Sequence, residues 1–247
     1  MPPRPHNHYS ALYSQPLPTE RRFNIWPFAL GAALVVVVGG LMWWAFFGAG
    51  SGILFPSSQA PSLSDRTITL DLAGQRFFIP ENYLRSREQR SGGEVERIDI
   101  FALWPSMKGF NEDDAEQFRD KSADARVIYV TLTAPTQVWR PAERFYQVYP
   151  YYFAGPEQPA EHGLMTRRMD DGSGIADHDV LYHQGADHLT LFHCLRDQAE
   201  LIPADCIGDQ VIEPRILARY RFRRALLEDW RDIDAAVEQL LAGFAGH

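Results

Sequence analysis

The hydrophobic pattern divides the chain into one uninterrupted apolar run and a longer region of short, broken apolar segments. Residues 25–47, IWPFALGAALVVVVGGLMWWAFF, contain no charged side chain. A helix rises about 1.5 Å per residue, so this run is long enough to cross a hydrocarbon core of about 30 Å. We therefore predict a transmembrane helix over residues 25–47, in contact with the lipid bilayer, and a folded domain over residues 66–247.

The region after residue 65 contains several segments with the pattern of β-strands. Polar and apolar residues alternate in some of them, and others are rich in β-branched side chains. The predicted strands are 66–72, 76–80, 94–104, 125–133, 177–184, 187–195 and 215–224. In the last of these, apolar side chains alternate with arginines, which is typical of a strand with one buried face.

Three segments have helical features. In residues 111–120 an asparagine can cap a short helix, and in residues 140–153 Pro141 suits the first helical turn. Between residues 227 and 244, apolar side chains recur at helical spacing and form one stripe. Because strands outnumber helices and no strand–helix–strand alternation repeats, we predict an α+β fold. It would consist of a mainly antiparallel sheet with a C-terminal amphipathic helix packed on it.

The regions on either side of the apolar run indicate its orientation. Residues 1–24 are mostly polar and Pro-rich, which predicts a disordered cytoplasmic tail, and the Gly/Ser/Pro-rich residues 48–65 predict a flexible linker. Arg21 and Arg22 precede the run and the next basic residue is Arg66, so the positive-inside rule places the domain outside the cytoplasm. A cleaved signal peptide is the alternative, but the run is longer than the apolar core of about 7–15 residues that is usual in such a peptide, which favours an uncleaved anchor.

Charge is distributed unevenly along the chain. The net charge is −8, and residues 1–64 hold three arginines and one glutamate, so the remaining residues carry −10. An acidic domain of this kind makes nucleic acid an unsuitable partner. The apolar content of 45% is typical of a folded domain that buries a core.

The chain has two cysteines, Cys194 and Cys206, so one intramolecular pairing is possible. Outside the cytosol a disulfide is the default state of such a pair, whereas in the cytosol both thiols stay reduced. With the predicted orientation, we expect a structural Cys194–Cys206 disulfide. A redox pair would normally have a closer spacing.

Histidines recur at intervals of five in the two strands predicted over residues 177–195. If a two-residue turn connects these strands, His183 lies opposite His188. Asp179 belongs to the same face, so His183, His188 and Asp179 are candidate metal ligands. Because the sequence supplies no further ligand in a zinc motif, we favour the alternative that these are ordinary surface and core histidines.

Two further groups of residues are candidate partner surfaces. The arginines of the last predicted strand form a row that suits an anion or an acidic partner, although pairing with acids of neighbouring strands explains them more simply. They are Arg215, Arg219, Arg221 and Arg223. Aromatic side chains are dense in residues 140–153, either because this helix packs on the sheet or because it offers an aromatic patch. The candidate patch is Phe145, Tyr146, Tyr149 and Tyr152.

The sequence has no specific catalytic signature. It contains no G-x-S-x-G nucleophile elbow, no HExxH zinc motif and no phosphate-binding glycine loop. We therefore nominate no catalytic residue and no cofactor. Whether the chain is an enzyme stays open at this point, with a non-enzyme favoured.

The run IPENYLRSREQRSGGEVERIDIFALWPSMKGFNEDDAEQFRD, residues 79–120, resembles single-pass inner-membrane envelope proteins of Gram-negative bacteria to which no activity is assigned. This resemblance implies a bacterial inner-membrane protein with a cytoplasmic N-terminus and a periplasmic domain. The leading hypothesis is a non-enzymatic interaction or accessory protein that binds another envelope protein. The alternatives are a metal-dependent or hydrolytic envelope enzyme, and a periplasmic immunity-type protein that binds a toxin.

Overall fold

The computed structural model describes residues 60–186, 188–196, 203–212 and 215–246, together with positions 26, 31, 35, 37 and 38. The chain divides into two compact units, Met1–Pro56 and Ser57–His247. In the first unit the five described positions are helical. The rest of the predicted transmembrane helix 25–47, the tail 1–24 and most of the linker 48–65 lie outside the described residues. Within the described part of the chain, no helix is long and apolar enough to cross a membrane.

Three strands at the start of the second unit form a small sheet. They are β1 (Thr67–Leu72), β2 (Gln75–Pro80) and β3 (Gly93–Val95). β1 and β2, both predicted as strands, form an antiparallel hairpin, and β3 adds parallel to β1 on the other side. The segment 94–104 was predicted as one strand, but a bend at Glu96 ends β3 and separates it from the next strand.

A second sheet has eight strands, and each neighbouring pair is antiparallel. The strands are β4 (Arg97–Leu103), β5 (Val127–Thr133), β6 (Gln158–Pro159), β7 (Met165–Arg167), β8 (His178–Gln184), β9 (Leu189–Leu195), β10 (Asp205–Ile212) and β11 (Ile216–Arg223). Their spatial order is β4-β5-β11-β10-β9-β8-β7-β6. The last strand in the chain therefore lies in the interior of this sheet, between β5 and β10.

The described part of the second unit has three α-helices. They are α1 (Ala115–Arg119), α2 (Pro141–Gln147) and α3 (Trp230–Phe244). Pro141 occupies the first turn of α2, as predicted, and the Glu143 carboxylate accepts a hydrogen bond from the Arg140 backbone N–H at 2.9 Å. A 3-10 helix, Arg224–Asp229, connects β11 directly to α3.

The main core lies between one face of the large sheet and a layer made by α3 and the small sheet. From β11, the even-numbered residues Ile216 to Phe222 point into it, as the alternation predicted. Ile233, Val237 and Leu241 of α3 enter the same core, because they recur at helical spacing. The fold class is therefore confirmed: a mainly antiparallel sheet carries a C-terminal amphipathic helix.

The opposite face of the large sheet is covered at both ends and open to solvent in its middle. At the β4–β5 end, Phe101 and Val127 pack against Phe110 and against Phe118 of α1. At the β7–β9 end, a separate cluster forms under α2 around Phe145. Between these two clusters, β10 and β11 present charged side chains, so this face has no continuous hydrophobic core.

The end of α3 is joined to the small sheet by the backbone. Ala245 forms an antiparallel β-bridge with Phe77, and the Gly246 N–H donates to the Arg76 carbonyl oxygen at 3.0 Å. A side chain at position 246 would meet the Phe78 ring, since a Cβ there would lie 2.5 Å from Phe78 Cε2. Residues from both ends of the second unit thus meet at the edge of β2.

Candidate functional site

Strands β9 and β10 are closely paired at one end. Cys194 and Cys206 lie directly opposite each other in this pair, with their Cα atoms 4.0 Å apart, and form the predicted disulfide. Both cysteines are fully buried. Two positions along β10, Gly208 leaves room for the ring of Tyr220, because a Cβ at 208 would lie 2.5 Å from Tyr220 Cζ. This end of the pair is tightly packed and covalently closed.

Beyond this point the two strands separate. The pairing of β9 with β10 ends at Phe192 and Gly208, whereas β10 remains paired with β11 as far as Ile212, and β9 remains paired with β8 as far as Leu189. A cleft of about 580 Å³ opens where the strands part. Its volume lies within the range of about 300–1,000 Å³ that is typical of ligand pockets.

The residues that line this cleft show that it runs along the strand edges. On β10 the lining is the consecutive run Asp209–Ile212, and on the β9 side it is the run 188–190. Successive side chains of a strand point to opposite faces, so a pocket over one face would be lined by alternate residues. A lining of consecutive residues places the cleft between the two strands.

The ends of two helices complete the cleft. The lining includes Arg140, Pro141 and Ala142 at the start of α2, and one stripe of α3. The α3 stripe consists of Asp234, Glu238, Leu241 and Ala242, and Ala245 continues it directly after the helix. Because α2 and α3 cover opposite faces of the sheet, the cleft is bounded by both layers of the fold.

The α3 carboxylate deepest in this region belongs to a hydrogen-bonded group. Asp234 Oδ1 accepts from the Tyr220 hydroxyl at 2.5 Å and from Gln210 Nε2 at 2.6 Å. Burial raises the pKa of Tyr220 well above its usual value, and the neighbouring Asp234 acts in the same direction. The tyrosine therefore stays protonated and serves as a donor to Asp234.

A buried ion-pair group lies behind the cleft, on the α2 side. Asp209 is contacted by Arg144 at 2.7 Å and by Arg219 at 2.9 Å. Burial acts to raise the pKa of Asp209, but the hydrogen bonds and charges of the two arginines prevail and hold it below its usual value. Asp209 thus remains ionised and connects α2 with β10 and β11.

A neutral histidine lies next to this ion-pair group. Burial lowers the pKa of His193 to about 4, and the positive charge of Arg144 acts in the same direction. The ring Nε2 of His193 and the hydroxyl of Tyr149 are 2.5 Å apart. Burial raises the pKa of Tyr149, so the hydroxyl is protonated and donates to the imidazole. This pair fixes the segment after α2 to β9.

The predicted pairing of His183 with His188 is wrong. His183 lies opposite Thr190, and His188 belongs to the connection between β8 and β9, where the Gly185 N–H donates to the His188 carbonyl oxygen. The connection comprises residues 185–188 rather than a two-residue turn, so the register differs from the expected one by two residues.

The other proposed metal ligand is engaged elsewhere. Asp179 forms ion pairs with Arg196 at 2.9 Å and Arg224 at 2.8 Å, and the ring of His183 packs 5.3 Å from that of Trp230. In the described segments, no group of three or more His, Cys, Asp or Glu residues is placed to hold a metal ion. The metal site at His183, His188 and Asp179 stays a prediction, and the strand register on which it depended is not the one observed.

The arginine row is largely paired with aspartates of the neighbouring strand. Arg219 contacts Asp209, and Arg223 contacts Asp205 at 2.7 Å. Arg221 lies 3.5 Å from Asp205 and stacks over a tyrosine ring. Arg215 is exposed in the turn before β11. Arg219, Arg221 and Arg223 thus have the simpler of the two predicted roles, cross-strand pairing.

The predicted aromatic patch is divided between core and surface. Phe145 and Tyr149 are buried, and Tyr152 is half-buried against the same cluster. Tyr146 is 58% exposed, and its hydroxyl donates to Gln184. Near α2, two exposed aromatic side chains lie outside the predicted patch, Trp139 (38%) and Tyr151 (82%). They flank α2 on either side of Tyr146 in the chain.

The fold is shared with proteins of known structure. No protein-family model and no curated protein matches the chain. An immunity protein of the Stenotrophomonas maltophilia type IV secretion system matches with a TM-score of 0.55 and 16% identity, over 74% of this chain and 95% of that one. The Neisseria meningitidis iron-regulated outer membrane lipoprotein FrpD matches with a TM-score of 0.51 and 13% identity, over 77% of this chain and 99% of that one. At these identities the likeness shows the fold alone.

Proposed function

We propose that the chain is a non-enzymatic protein of the bacterial envelope whose folded domain binds another protein. Residues 25–47 anchor it in the inner membrane, and the domain lies in the periplasm. The apolar run after Arg21 and Arg22 supports this orientation. The buried Cys194–Cys206 disulfide supports it independently, since such bonds persist in oxidising compartments.

The observation that carries the proposal is the group of exposed aromatic side chains around α2. Trp139, Tyr146 and Tyr151 remain accessible although this part of the domain has a well-formed cluster beneath them. Tyrosine and tryptophan are enriched among the residues that dominate protein–protein binding energy. By contrast, the polar groups that catalysis would need, such as His193 and Asp209, are engaged with other side chains of the domain.

A narrower form of the proposal is an immunity-type protein that binds a toxin. One protein with this fold is an immunity protein of a secretion system, and the other is an outer membrane lipoprotein. A protein of this type needs a binding surface and no catalytic centre. The exposed aromatic group and the acidic charge of the domain meet that requirement for a basic partner.

Affinity capture from membranes tests the broader form. We expect a specific partner to be cross-linked to the full-length chain and lost with a Tyr146→Ala/Tyr151→Ala double variant. Phe78→Ala, which removes a partly exposed ring on β2, is the control and should retain the partner. A partner retained by the double variant, or no specific partner in mild detergent, contradicts the proposal.

Toxin protection tests the narrower form. The chain is produced in a susceptible bacterium together with the protein encoded beside it, which is directed to the periplasm. We expect growth to be restored by the wild-type chain and reduced with the double variant, while Phe78→Ala still protects. If the neighbouring product is harmless with or without the chain, the immunity form is wrong and the broader form is unaffected.

A further inference from the structure

The cleft between β9 and β10 has the geometry of an acceptor for a strand. Along Leu189–Leu191 of β9 and Asp209–Ile212 of β10, the two edges that face the cleft are not paired with each other. Each of these runs is paired on its other side, with β8 and β11 respectively. Both edges are therefore held in extended conformation with main-chain groups directed towards the cleft.

An extended peptide can satisfy both edges at once. Strands rise about 3.3 Å per residue, so the four residues Asp209–Ile212 offer about 13 Å of edge. Because β9 and β10 are antiparallel to each other, an inserted strand would run antiparallel to one edge and parallel to the other. The addition of a strand to an exposed sheet edge is a recurrent mode of peptide recognition.

The charges that line the cleft indicate the chemistry of its occupant, because three carboxylates there outnumber the single arginine, Arg140 at the start of α2. Asp209 is already paired with Arg144 and Arg219, but the ion pairs among the described residues include neither Asp234 nor Glu238. These two carboxylates are four residues apart on α3, a spacing at which like charges destabilise a helix. A cation from an incoming segment would offset that repulsion.

We propose that this cleft accepts an extended segment of a partner protein, which lies between β9 and β10 and places a lysine or arginine side chain beside Asp234 and Glu238. The apolar lining from Leu189, Val211 and Leu241 receives the uncharged side chains of the segment. The inference rests on the proposed function only in that the occupant comes from a protein.

A selection with displayed peptides tests the inference. The probe is a library of random dodecapeptides on phage, selected against the purified full-length chain and remeasured as synthetic peptides by fluorescence polarisation. We expect enrichment of sequences with β-branched residues around a lysine or arginine. Failure to enrich any such class overturns the proposal.

Matched variants of α3 locate the binding. Ala242→Trp fills the cleft and should weaken peptide binding at least about tenfold, a loss of roughly 1.4 kcal/mol. Gln239→Trp, at an exposed position of the same helix outside the cleft lining, should change it by less than about twofold. Glu238→Lys should weaken it about fivefold, whereas Asp232→Lys, the same charge change outside the cleft, should not. Peptides that bind the Ala242→Trp chain as well as the wild type contradict the proposal.

Amide hydrogen exchange distinguishes strand insertion from surface binding. Bound peptide should slow exchange within residues 189–191 and 209–212, and unchanged exchange there contradicts insertion. If a variant lacking residues 48–59 exchanges faster at these amides without peptide, the occupant is the chain's own linker and the proposal is wrong. If Ala242→Trp retains a partner that the Tyr146→Ala/Tyr151→Ala variant loses, the proposed function stands and the cleft inference fails.

Discussion

The two ends of the β9–β10 pair differ in how closely the strands are held together. At one end the strands are bonded by Cys194–Cys206, and Gly208 allows the Tyr220 ring to pack directly against the backbone. At the other end the same strands part around a cleft lined by consecutive residues of both. The same pair of neighbouring strands is thus covalently linked and tightly packed at one end and unpaired around a cleft at the other.

This difference indicates that different residues of the same strand, β10, contribute to the stability of the sheet and to binding. A cleft between strands costs ladder hydrogen bonds, and a sheet can tolerate that loss where the strands are fixed nearby. We therefore expect changes near Cys206 and Gly208 to affect mainly the free energy of unfolding. Changes near Val211 should affect mainly binding.

The largest expected effect comes from removing the covalent link. A Cys194→Ala/Cys206→Ala variant should lose about 3 kcal/mol of unfolding free energy, since the bond closes a short loop in the unfolded chain. Urea unfolding followed by fluorescence measures this. Reductant should lower the unfolding free energy of the wild type and leave that of the variant unchanged. If reductant has the same effect on both proteins, the disulfide is not a structural bond.

The second effect is a pH dependence that originates at the closed end, where His193 lies opposite Ile207. The pKa of His193 is about 4 in the folded protein, against about 6.5 when exposed, so between these values the unfolded chain binds a proton that the folded chain does not. The unfolding free energy should therefore fall as the pH drops from 7 to 4, by about 3 kcal/mol more than in a His193→Gln variant.

Urea unfolding at several pH values measures that difference. His188→Gln, in the exposed connection between β8 and β9, is the control and should follow the wild-type profile. If His193→Gln retains the full wild-type slope between pH 7 and pH 4, other groups cause it and the buried histidine is not responsible.

A smaller effect is expected for Gly208→Ala. The added Cβ would overlap the buried Tyr220 ring. Such overpacking typically destabilises a protein by about 1–3 kcal/mol, so we expect the unfolding free energy to fall by about 2 kcal/mol. Gly155→Ala has open space around the new Cβ and should be close to neutral. Thermal unfolding of both variants checks this, and equal melting temperatures would mean that the closed end is less tightly packed than described.

The smallest effect on stability belongs to the open end. Val211 is half-buried and borders the cleft, so Val211→Ala should cost less than about 1 kcal/mol. In the same variant, the loss of free energy of binding a selected peptide should be larger than the loss of unfolding free energy. A loss of stability comparable with that of Gly208→Ala would show that the two ends do not differ.

Much of the fold follows from local pattern. The β-branched run of β5, the alternation in β11 and the helical spacing of apolar residues in α3 are each dictated by a buried face with a fixed period. The predicted disulfide needed only the count of cysteines and the orientation of the chain. These features depend on few long-range contacts, so they were accessible from the sequence.

The candidate site could not be predicted from the sequence in the same way, because strand β10 was not recognised there. Its sequence, DCIGDQVI, mixes aspartates and a glycine with apolar residues and so lacks a strong strand signal. Asp205 and Asp209 on this strand are the partners of the arginine row, and Gly208 is explained only by the ring of Tyr220. The regular spacing of the two aspartates opposite an arginine-rich strand was the available signal.

The histidine hypothesis failed for a related reason. The period-two pattern places Asp179 and His183 on the same face of β8, but register depends on the length of the connection. A connection over residues 185–188 displaces His183 from His188 and brings it opposite Thr190. Sequence alone does not determine that length, since a Gly-containing connection accommodates several turn geometries.

The bond between the end of α3 and the edge of β2 has a consequence for biosynthesis. During translation the β1–β2 hairpin appears early, whereas Ala245 and Gly246, which bind its edge, appear only after the whole sheet. The hairpin and α3 belong to one layer of the main core, so this layer cannot be completed from the N-terminal side alone. The edge of β2 therefore stays uncovered until the last residues of the domain are in place, so the joining of α3 to the small sheet is a late step in the folding of this chain.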